Sequence, residues 1–252
     1  MSTPTSDKIW RYMTLSKLIS LLSSKAIYFA CPSQFADPYE GFYPASHMRA
    51  FEPILQKAID DSREARNKLA SLFPYADLSN VDNALATQIA EMRESVEKSR
   101  LKFGVSCWHQ NNFESEAMWR LYSTSEPLIA IESTITRLHN SMTSGKKVTI
   151  DNVRYIDFEN DPIETGHKHY GLFLKRKSFD HEREVRATIL LHEVGKGELV
   201  KCMLEQLIYR IHISPFSPIH FADAVRISCA EISKPICQST LFAKPPAPFN
   251  LR

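Results

Sequence analysis

The sequence predicts an α+β protein in which a mixed or largely antiparallel sheet is flanked by helices and interrupted by a helical-hairpin insertion. Three observations support this fold class. Short apolar runs alternate with helical periodicity near the start, strand candidates dominate the second half, and two long amphipathic segments lie between about residues 47 and 102. We therefore expect a single domain over residues 1–243 that contains the insertion, followed by a proline-rich tail over 244–252.

The first predicted unit is a strand, a helix and a second strand. Residues 10–12 form the first strand. Thr14 is a good N-cap, and apolar residues recur after it at helical spacing, namely Leu15, Leu18, Ile19 and Leu22. The apolar run 26–30 predicts the second strand, and the turn-rich segment 32–44 follows it.

The insertion is predicted as two helices, at about 53–72 and 81–102. Pro53 suits a first helical position, and the alternating charges of the second helix are typical of a solvent-facing side. The remaining elements follow in chain order. We predict strands at 103–108, 128–131, 148–156, 172–175, 184–191 and 207–213, and helices at 115–122, 134–142 and, with Ser217 as N-cap, 218–230.

Composition limits the functions that this fold can carry. Among 252 residues, 31 Lys and Arg nearly balance 29 Asp and Glu, so no global charge favours nucleic acid or a membrane surface. No apolar run approaches the ~20 residues that a bilayer crossing needs, and the start of the chain lacks a signal peptide's apolar stretch. We expect a cytoplasmic protein without a membrane partner, and the oligomeric state stays open.

Glycine, cysteine and histidine spacing exclude several kinds of site. The seven glycines include no phosphate-cradling loop, which excludes P-loop ATPases and dinucleotide-fold dehydrogenases. The five cysteines have no CxxC spacing, which argues against a disulfide framework and a structural zinc site. His167 and His169 share a face if extended, but no third ligand is spaced for zinc. We therefore expect no metal.

The most informative segment runs from Lys175 through a strand of alternating charge. If the chain is extended from Glu182, the side chains of Glu182, Glu184 and Arg186 share one face and the apolar side chains share the other. Two carboxylates beside a guanidinium can keep one carboxylate ionised or raise the pKa of its partner. The alternative is a solvent-facing sheet edge with cross-strand ion pairs.

A short aromatic helix is the second candidate. Trp119 and Tyr122 are spaced i, i+3, so they share a helix face and form either a wall for a flat heterocycle or part of the core. The Ser-Thr-Ser run that starts at Ser123 either positions a ribose or ends the helix.

The third candidate is the loop Phe35–Gly41, which carries Asp37 and Glu40 directly after a strand. Two carboxylates with neighbouring aromatic residues in such a loop resemble a binding loop. A turn built on Asp-Pro needs no further purpose, so a purely structural turn is the alternative.

Together these segments resemble a bacterial family known mainly as a domain of unknown function. The resemblance spans about residues 9–215 and covers an aromatic-basic-Tyr start, an Asp-Pro-x-Glu loop, a Ser-Cys strand, a Met-Trp-x-x-Tyr helix and a late Lys with Glu-x-Glu-x-Arg. The matches are Trp10-Arg11-Tyr12, Asp37-Pro38-Tyr39-Glu40, Ser106-Cys107, Met118-Trp119-Arg120-Leu121-Tyr122, and Lys175 with Glu182-Arg183-Glu184-Val185-Arg186. Ala36 departs from a common Asn and Phe179 from a common Trp. The family itself implies no reaction.

The order of these elements also resembles that of the ADP-ribosyltransferases, which include toxin-like members acting on nucleic acid or protein. Those enzymes use an early Arg or His, a middle aromatic or Ser-Thr-Ser element and a late Glu, matched here by Arg11, Tyr122 with Ser123, and Glu184. The resemblance implies an enzyme that uses NAD as substrate, breaks its nicotinamide-ribose bond and transfers ADP-ribose to a macromolecule, as a toxin or a phage-defence effector would.

The resemblance also implies a role for each candidate residue. Glu184 contacts the ribose hydroxyl and stabilises the developing oxocarbenium ion, Glu182 orients the acceptor, and Arg11 binds the NAD phosphates or ribose. The cofactor-binding set is Arg11, Tyr12, Trp119, Tyr122, Ser123 and Arg186, and the substrate-binding set is Asp37, Glu40 and Lys175.

Two other functions stay open. A non-catalytic module would capture a nucleotide or a nucleic-acid segment by stacking on Trp119 and by phosphate contacts from basic side chains. A metal-dependent nuclease would use Asp37, Glu182 and Glu184 to hold Mg²⁺.

Overall fold

The computed structural model describes residues 7–79, 83–84, 87, 90–91, 94, 98–123, 126–161 and 170–245. The strands are β1 (Lys8–Thr14), β2 (Ala26–Phe29), β3 (Phe103–Gln110), β4 (Leu128–Thr134), β5 (Thr149–Asn152), β6 (Arg154–Ile156), β7 (Leu174–Arg176), β8 (Glu184–Leu190), β9 (Glu198–Lys201), β10 (Arg210–Ile213) and β11 (Ile236–Gln238). The helices are α1 (Leu15–Ser24), α2 (Ala45–Leu72), α3 (Glu116–Tyr122), α4 (Ile135–Ser141), α5 (Leu204–Leu207) and α6 (Ile219–Ser228).

The main sheet has seven strands in the order β11-β10-β4-β1-β3-β8-β5. Its neighbours are antiparallel except β10 and β11, which are parallel. Two small sheets lie beside it, an antiparallel pair of β2 with β9 and a parallel pair of β6 with β7. The prediction of an α+β fold with a mixed, largely antiparallel sheet and flanking helices is confirmed.

The two central strands of the main sheet separate after a short paired stretch. β1 pairs with β4 along all seven of its residues, and β3 pairs with β8 from Phe103 to His109. Between β1 and β3, however, only two pairs are in register, Ile9 with Gln110 and Trp10 with His109. Beyond that point β3 bridges to Ala30 after β2 instead. The sheet is therefore split between β1 and β3.

Each face of the main sheet carries its own apolar cluster. The larger cluster includes Ile9, Met13, Trp108 and Val185, and it receives side chains from α1 and α6. The smaller cluster lies on the opposite face, because alternate residues of a strand point to opposite sides. It consists of Trp10, Tyr12, Met118, Trp119, Leu128 and Ala130.

The helix predictions hold in part. The Thr14 side chain accepts a hydrogen bond from the backbone N–H of Lys17, which confirms it as the N-cap of α1. In contrast, α2 begins directly after Pro44 and continues through Pro53, so Pro53 does not start the helix. Ser217 does not cap α6 either, because Pro218 occupies that position. About half of the predicted second insertion helix, the residues at 124–125 and 162–169, and most of the tail lie outside the described residues.

Three strand predictions are corrected by the pairing of the chain. The predicted strand 148–156 is two strands in different sheets, because Thr149–Asn152 pairs with β8 whereas Arg154–Ile156 pairs with β7. The predicted strand 207–213 begins inside α5, because the backbone N–H of Ile208 donates a helical hydrogen bond to the backbone oxygen of Leu204. A 3₁₀ turn at Tyr170–Phe173 replaces the start of the 172–175 prediction. The short strands β9 and β11 were not predicted, since neither shows a clear alternation.

Candidate functional site

A cleft of about 840 Å³ opens at the split between β1 and β3. Five of the predicted site residues line it, namely Arg11, Tyr12, Tyr122, Glu182 and Glu184. They come from β1, α3 and the segment leading into β8, which are far apart in the sequence. The separation of β1 from β3 explains why these residues meet, because side chains from both faces of the sheet reach the same opening.

Glu182 and Glu184 form a carboxyl pair that is held by one lysine. Lys175 Nζ on β7 donates to Glu182 Oε2 at 2.6 Å and to Glu184 Oε1 at 2.8 Å. Glu182 is not part of an extended strand, contrary to the prediction, because it ends a 3₁₀ turn at Lys177–Glu182. Arg183 then takes a left-handed conformation with φ of 43°, and this turn brings the two carboxylates to the same lysine.

Arg186 and Glu40 form a second layer behind the carboxyl pair. Arg186 Nε donates to Glu184 Oε2 at 2.5 Å, and its Nη2 donates to Glu40 Oε1 at 2.9 Å. The Arg186 side chain is 1% exposed and that of Glu40 is 2% exposed. The alternative of a solvent-facing ion-pair edge is therefore wrong for this strand. Arg186, Glu40 and Lys175 support the carboxyl pair from behind and are not among the residues that line the cleft.

Asp37 belongs to a different ion pair. Arg176 Nη2 donates to Asp37 Oδ1 at 2.8 Å, and the guanidinium lies 4.4 Å from the centre of the Tyr39 ring. The Asp-Pro-x-Glu loop thus places Glu40 against Arg186 and anchors its other end to β7. Asp37 is outside the cleft lining.

The surroundings of the two carboxyl groups push their pKa values apart. Burial and, after it, the hydrogen bond with Glu184 together raise the pKa of Glu182 to about 7, against the opposing effect of Lys175. Burial also acts to raise the pKa of Glu184, but the charge of Arg186, the hydrogen bond with Glu182 and the charge of Lys175 outweigh it. The pKa of Glu184 therefore lies well below its ordinary value, so the pair holds an ionised group beside one that exchanges a proton near neutral pH.

Arg11 brings a cation to the cleft that pairs with no carboxylate among the described residues. Its Nη1 donates to Ser106 Oγ at 2.9 Å, and its Nη2 donates to the backbone oxygen of Tyr28 at 3.3 Å. The guanidinium lies 5.5 Å from the centre of the Trp108 ring. Its charge is therefore available to an anionic ligand.

The aromatic candidates divide between cleft and core. Tyr12 and Tyr122 line the cleft, and their rings are stacked with centres 6.3 Å apart. Trp119 is 0% exposed, packs edge-on against Tyr12 at 4.8 Å and donates from Nε1 to Glu114. The core interpretation therefore applies to Trp119. Ser123 is exposed and closes α3 through its backbone N–H, and it does not line the cleft.

Residues that were not predicted also form the cleft. They include His109 and Cys107 on β3, Tyr28 and Gly197, and Phe35 of the candidate loop Phe35–Gly41 also lines the cleft. A Cβ atom on Gly197 would lie 1.9 Å from the Tyr28 hydroxyl oxygen, so a larger residue at this position would displace the Tyr28 ring. Cys107 and His109 are two residues apart on one strand and share a face, but nothing in the sequence places the acidic pair beside them.

The arrangement suits chemistry at a carbon that becomes electron-poor, because an ionised carboxylate, a proton-exchanging carboxyl and a guanidinium without a carboxylate partner among the described residues line one opening. Among the described residues, no group of three or more His, Cys, Asp or Glu side chains is placed to hold a metal ion. None of the helices described has both the length and the apolar character needed to cross a bilayer. Comparison of the chain with protein-family models, curated proteins and solved structures finds no significant match.

Proposed function

We propose that the protein is an ADP-ribosyltransferase-like enzyme that cleaves the nicotinamide-ribose bond of NAD and transfers ADP-ribose to a protein or nucleic-acid acceptor, as a toxin or phage-defence effector. The observation that carries the proposal is that Arg11, Tyr122, Glu182 and Glu184 line one cleft. A volume of about 840 Å³ lies within the range of ordinary small-molecule and cofactor sites, so a dinucleotide is a reasonable occupant.

Glu184 supplies the electrostatic part of the reaction. The bond between ribose C1′ and the nicotinamide nitrogen breaks, the electron pair leaves with neutral nicotinamide, and positive charge develops on the ribose. An ionised carboxylate beside C1′ stabilises this charge more in the transition state than in the ground state. Lys175 and Arg186 hold Glu184 ionised and fixed in place before the substrate arrives.

Glu182 supplies the proton transfer. An acceptor nucleophile forms the new bond to C1′ and gives its proton to the Glu182 carboxylate, which then releases it to solvent. A group with a pKa of about 7 is suited to this exchange at neutral pH. Arg11 binds the phosphates, and the stacked rings of Tyr12 and Tyr122 provide a flat apolar wall for the nicotinamide.

The alternatives fit the cleft less well. Two carboxyl groups in the opening disfavour a polyanionic strand, which weakens the case for a nucleic-acid-binding module. A magnesium-dependent nuclease would need Asp37 near Glu182 and Glu184, yet Asp37 pairs with Arg176 outside the cleft. Nucleotide binding without nicotinamide release is the remaining non-catalytic outcome of the test below.

The direct test is nicotinamide release from NAD by the wild type and by Arg11→Gln. We expect release by the wild type and a loss of about 10- to 100-fold in kcat/KM for the variant, mainly through KM, because Arg11 contributes charged hydrogen bonds to the phosphates. Arg137→Gln is the matched control. Arg137 also donates to backbone oxygens and lies over an aromatic ring, but it is outside the cleft, so kcat/KM should stay within about twofold. Wild-type protein that neither binds nor cleaves NAD contradicts the proposal.

The pH profile tests the assignment of Glu182. Because Glu182 acts as a base, it must be ionised, so the wild-type kcat/KM should rise with pH up to about 7 and then level off. Glu182→Gln should lower kcat/KM about 100-fold and remove this rise. Glu116→Gln, which changes an exposed carboxylate on α3, should keep the wild-type profile. An unchanged profile in Glu182→Gln would show that another group titrates.

A further inference from the structure

His109 is a buried cleft residue whose two ring nitrogens have different surroundings. Nδ1 lies 2.7 Å from the backbone oxygen of Glu182. A carbonyl oxygen can only accept a hydrogen bond, so a neutral His109 carries its proton on Nδ1 and leaves a lone pair on Nε2. Burial, with the nearby charges of Arg183 and His181, lowers the pKa of His109 and keeps the ring neutral.

The Nε2 atom of His109 lacks a hydrogen-bond partner in the part of the chain that the structure describes. The residue is 5% exposed and lines the cleft. A buried acceptor without a partner is unfavourable, and such a group in a native protein calls for an explanation. A donor on a bound ligand would satisfy it.

The neighbour of His109 across the sheet indicates which donor fits. His109 on β3 is directly opposite Glu184 on β8, with Trp10 on its other side. Side chains that are directly opposite have Cβ atoms about 4.5–5.5 Å apart. The cleft therefore presents two hydrogen-bond acceptors side by side, a neutral imidazole nitrogen and an ionised carboxylate.

Two adjacent acceptors are complementary to two adjacent donors. A ribose carries such a pair in its 2′ and 3′ hydroxyl groups, whereas a phosphate offers only acceptors at neutral pH and a deoxyribose has lost one donor. An analogue that lacks the hydroxyl facing His109 would leave the buried Nε2 without a partner, which is the basis of strong discrimination by buried polar groups.

We propose that His109 is a positioning residue that accepts a hydrogen bond from one ribose hydroxyl while Glu184 accepts one from the other, so the cleft selects ribonucleotides over deoxyribonucleotides. This inference rests on the proposed function, because it assigns the same cleft to a nucleotide. His109 holds the sugar and takes no part in bond cleavage.

The test combines His109 variants with substrate analogues. Binding by calorimetry and kcat/KM for nicotinamide release would be measured with NAD and with analogues that lack the 2′ or the 3′ hydroxyl of the nicotinamide ribose. In the wild type, removal of the hydroxyl that His109 contacts should cost about tenfold in affinity. His109→Leu should lower the affinity for NAD by a similar factor. The affinity for the analogue that lacks the contacted hydroxyl should not change. His109→Gln, which keeps an acceptor, should restore part of the selectivity, and the exposed His139→Leu should behave as wild type.

The outcomes separate this inference from the proposed reaction. If His109→Leu lowers the affinity for NAD and for both analogues by the same factor, the role of His109 is structural. The inference is then wrong, even if the variant still cleaves NAD. If the wild type binds NAD with ribose selectivity that depends on His109 but releases no nicotinamide, the inference is supported and the proposed reaction is wrong. If the wild type binds none of the three ligands, both are overturned.

Discussion

Substitution of Glu184 by glutamine should reduce nicotinamide release about 1,000-fold. Glutamine keeps the shape of the side chain but removes the negative charge that stabilises the developing oxocarbenium ion, and the loss of one such electrostatic contact costs about 10²–10³ in kcat. The effect should be mainly in kcat, since the charge on the sugar exists only in the transition state and the glutamine amide oxygen can still accept a hydrogen bond from a ribose hydroxyl. Steady-state kinetics with NAD measures both quantities.

A control is needed because Glu184 also compensates two buried cations. Glu132→Gln is well matched, since Glu132 is also buried and bonds to Lys8 Nζ and to His212 Nε2, each at 2.7 Å. It lies on β4 and does not line the cleft. Both variants should lose stability, measured by thermal unfolding, but only Glu184→Gln should lose activity. Folded Glu184→Gln protein that retains a tenth of the wild-type rate would contradict the assigned role.

The sequence predicts the residues of the site better than their contacts. Apolar residues recur at every second position from Val185, and this pattern correctly predicts the strand β8. A period of two residues is a strong indication of a strand when it continues over seven residues. The position of Glu182 follows from the left-handed backbone of Arg183, and a non-glycine residue there cannot be anticipated from local pattern. The contact between Glu40 and Arg186 joins residues 146 positions apart, so only the folded topology can show it.

The cleft itself also depends on topology. The apolar character of β1 and β3 predicts two strands, but no local signal states that they pair at only two positions and then separate. The positions of Trp119 and Tyr122 could not be predicted from the sequence either, because an i, i+3 aromatic pair does not reveal which ring faces the core. Tyr122 is half exposed beside the cleft, whereas Trp119 is fully buried one turn earlier.

Replacement of Arg186 by methionine should cause the largest loss of stability in the molecule, about 3–5 kcal/mol in the free energy of unfolding. Arg186 is the buried cation that joins Glu40 to Glu184, and it also donates from Nη1 to the backbone oxygen of Leu172. Its removal leaves two buried carboxylates with Lys175 as their shared cation. Urea denaturation at neutral pH, monitored by tryptophan fluorescence, measures the change.

Arg226→Met is the control for this prediction, since Arg226 pairs with Asp223 on the exposed side of α6 and its loss should change stability by less than about 0.5 kcal/mol. A second variant separates the charge effect from lost packing. If unpaired buried carboxylates cause the instability, adding Glu40→Gln to Arg186→Met should recover about 1–3 kcal/mol, because one of them is then neutral. A double variant as unstable as the sum of the two single changes would mean that Arg186 stabilises the protein by packing, and not by compensating the charge of the buried carboxylates.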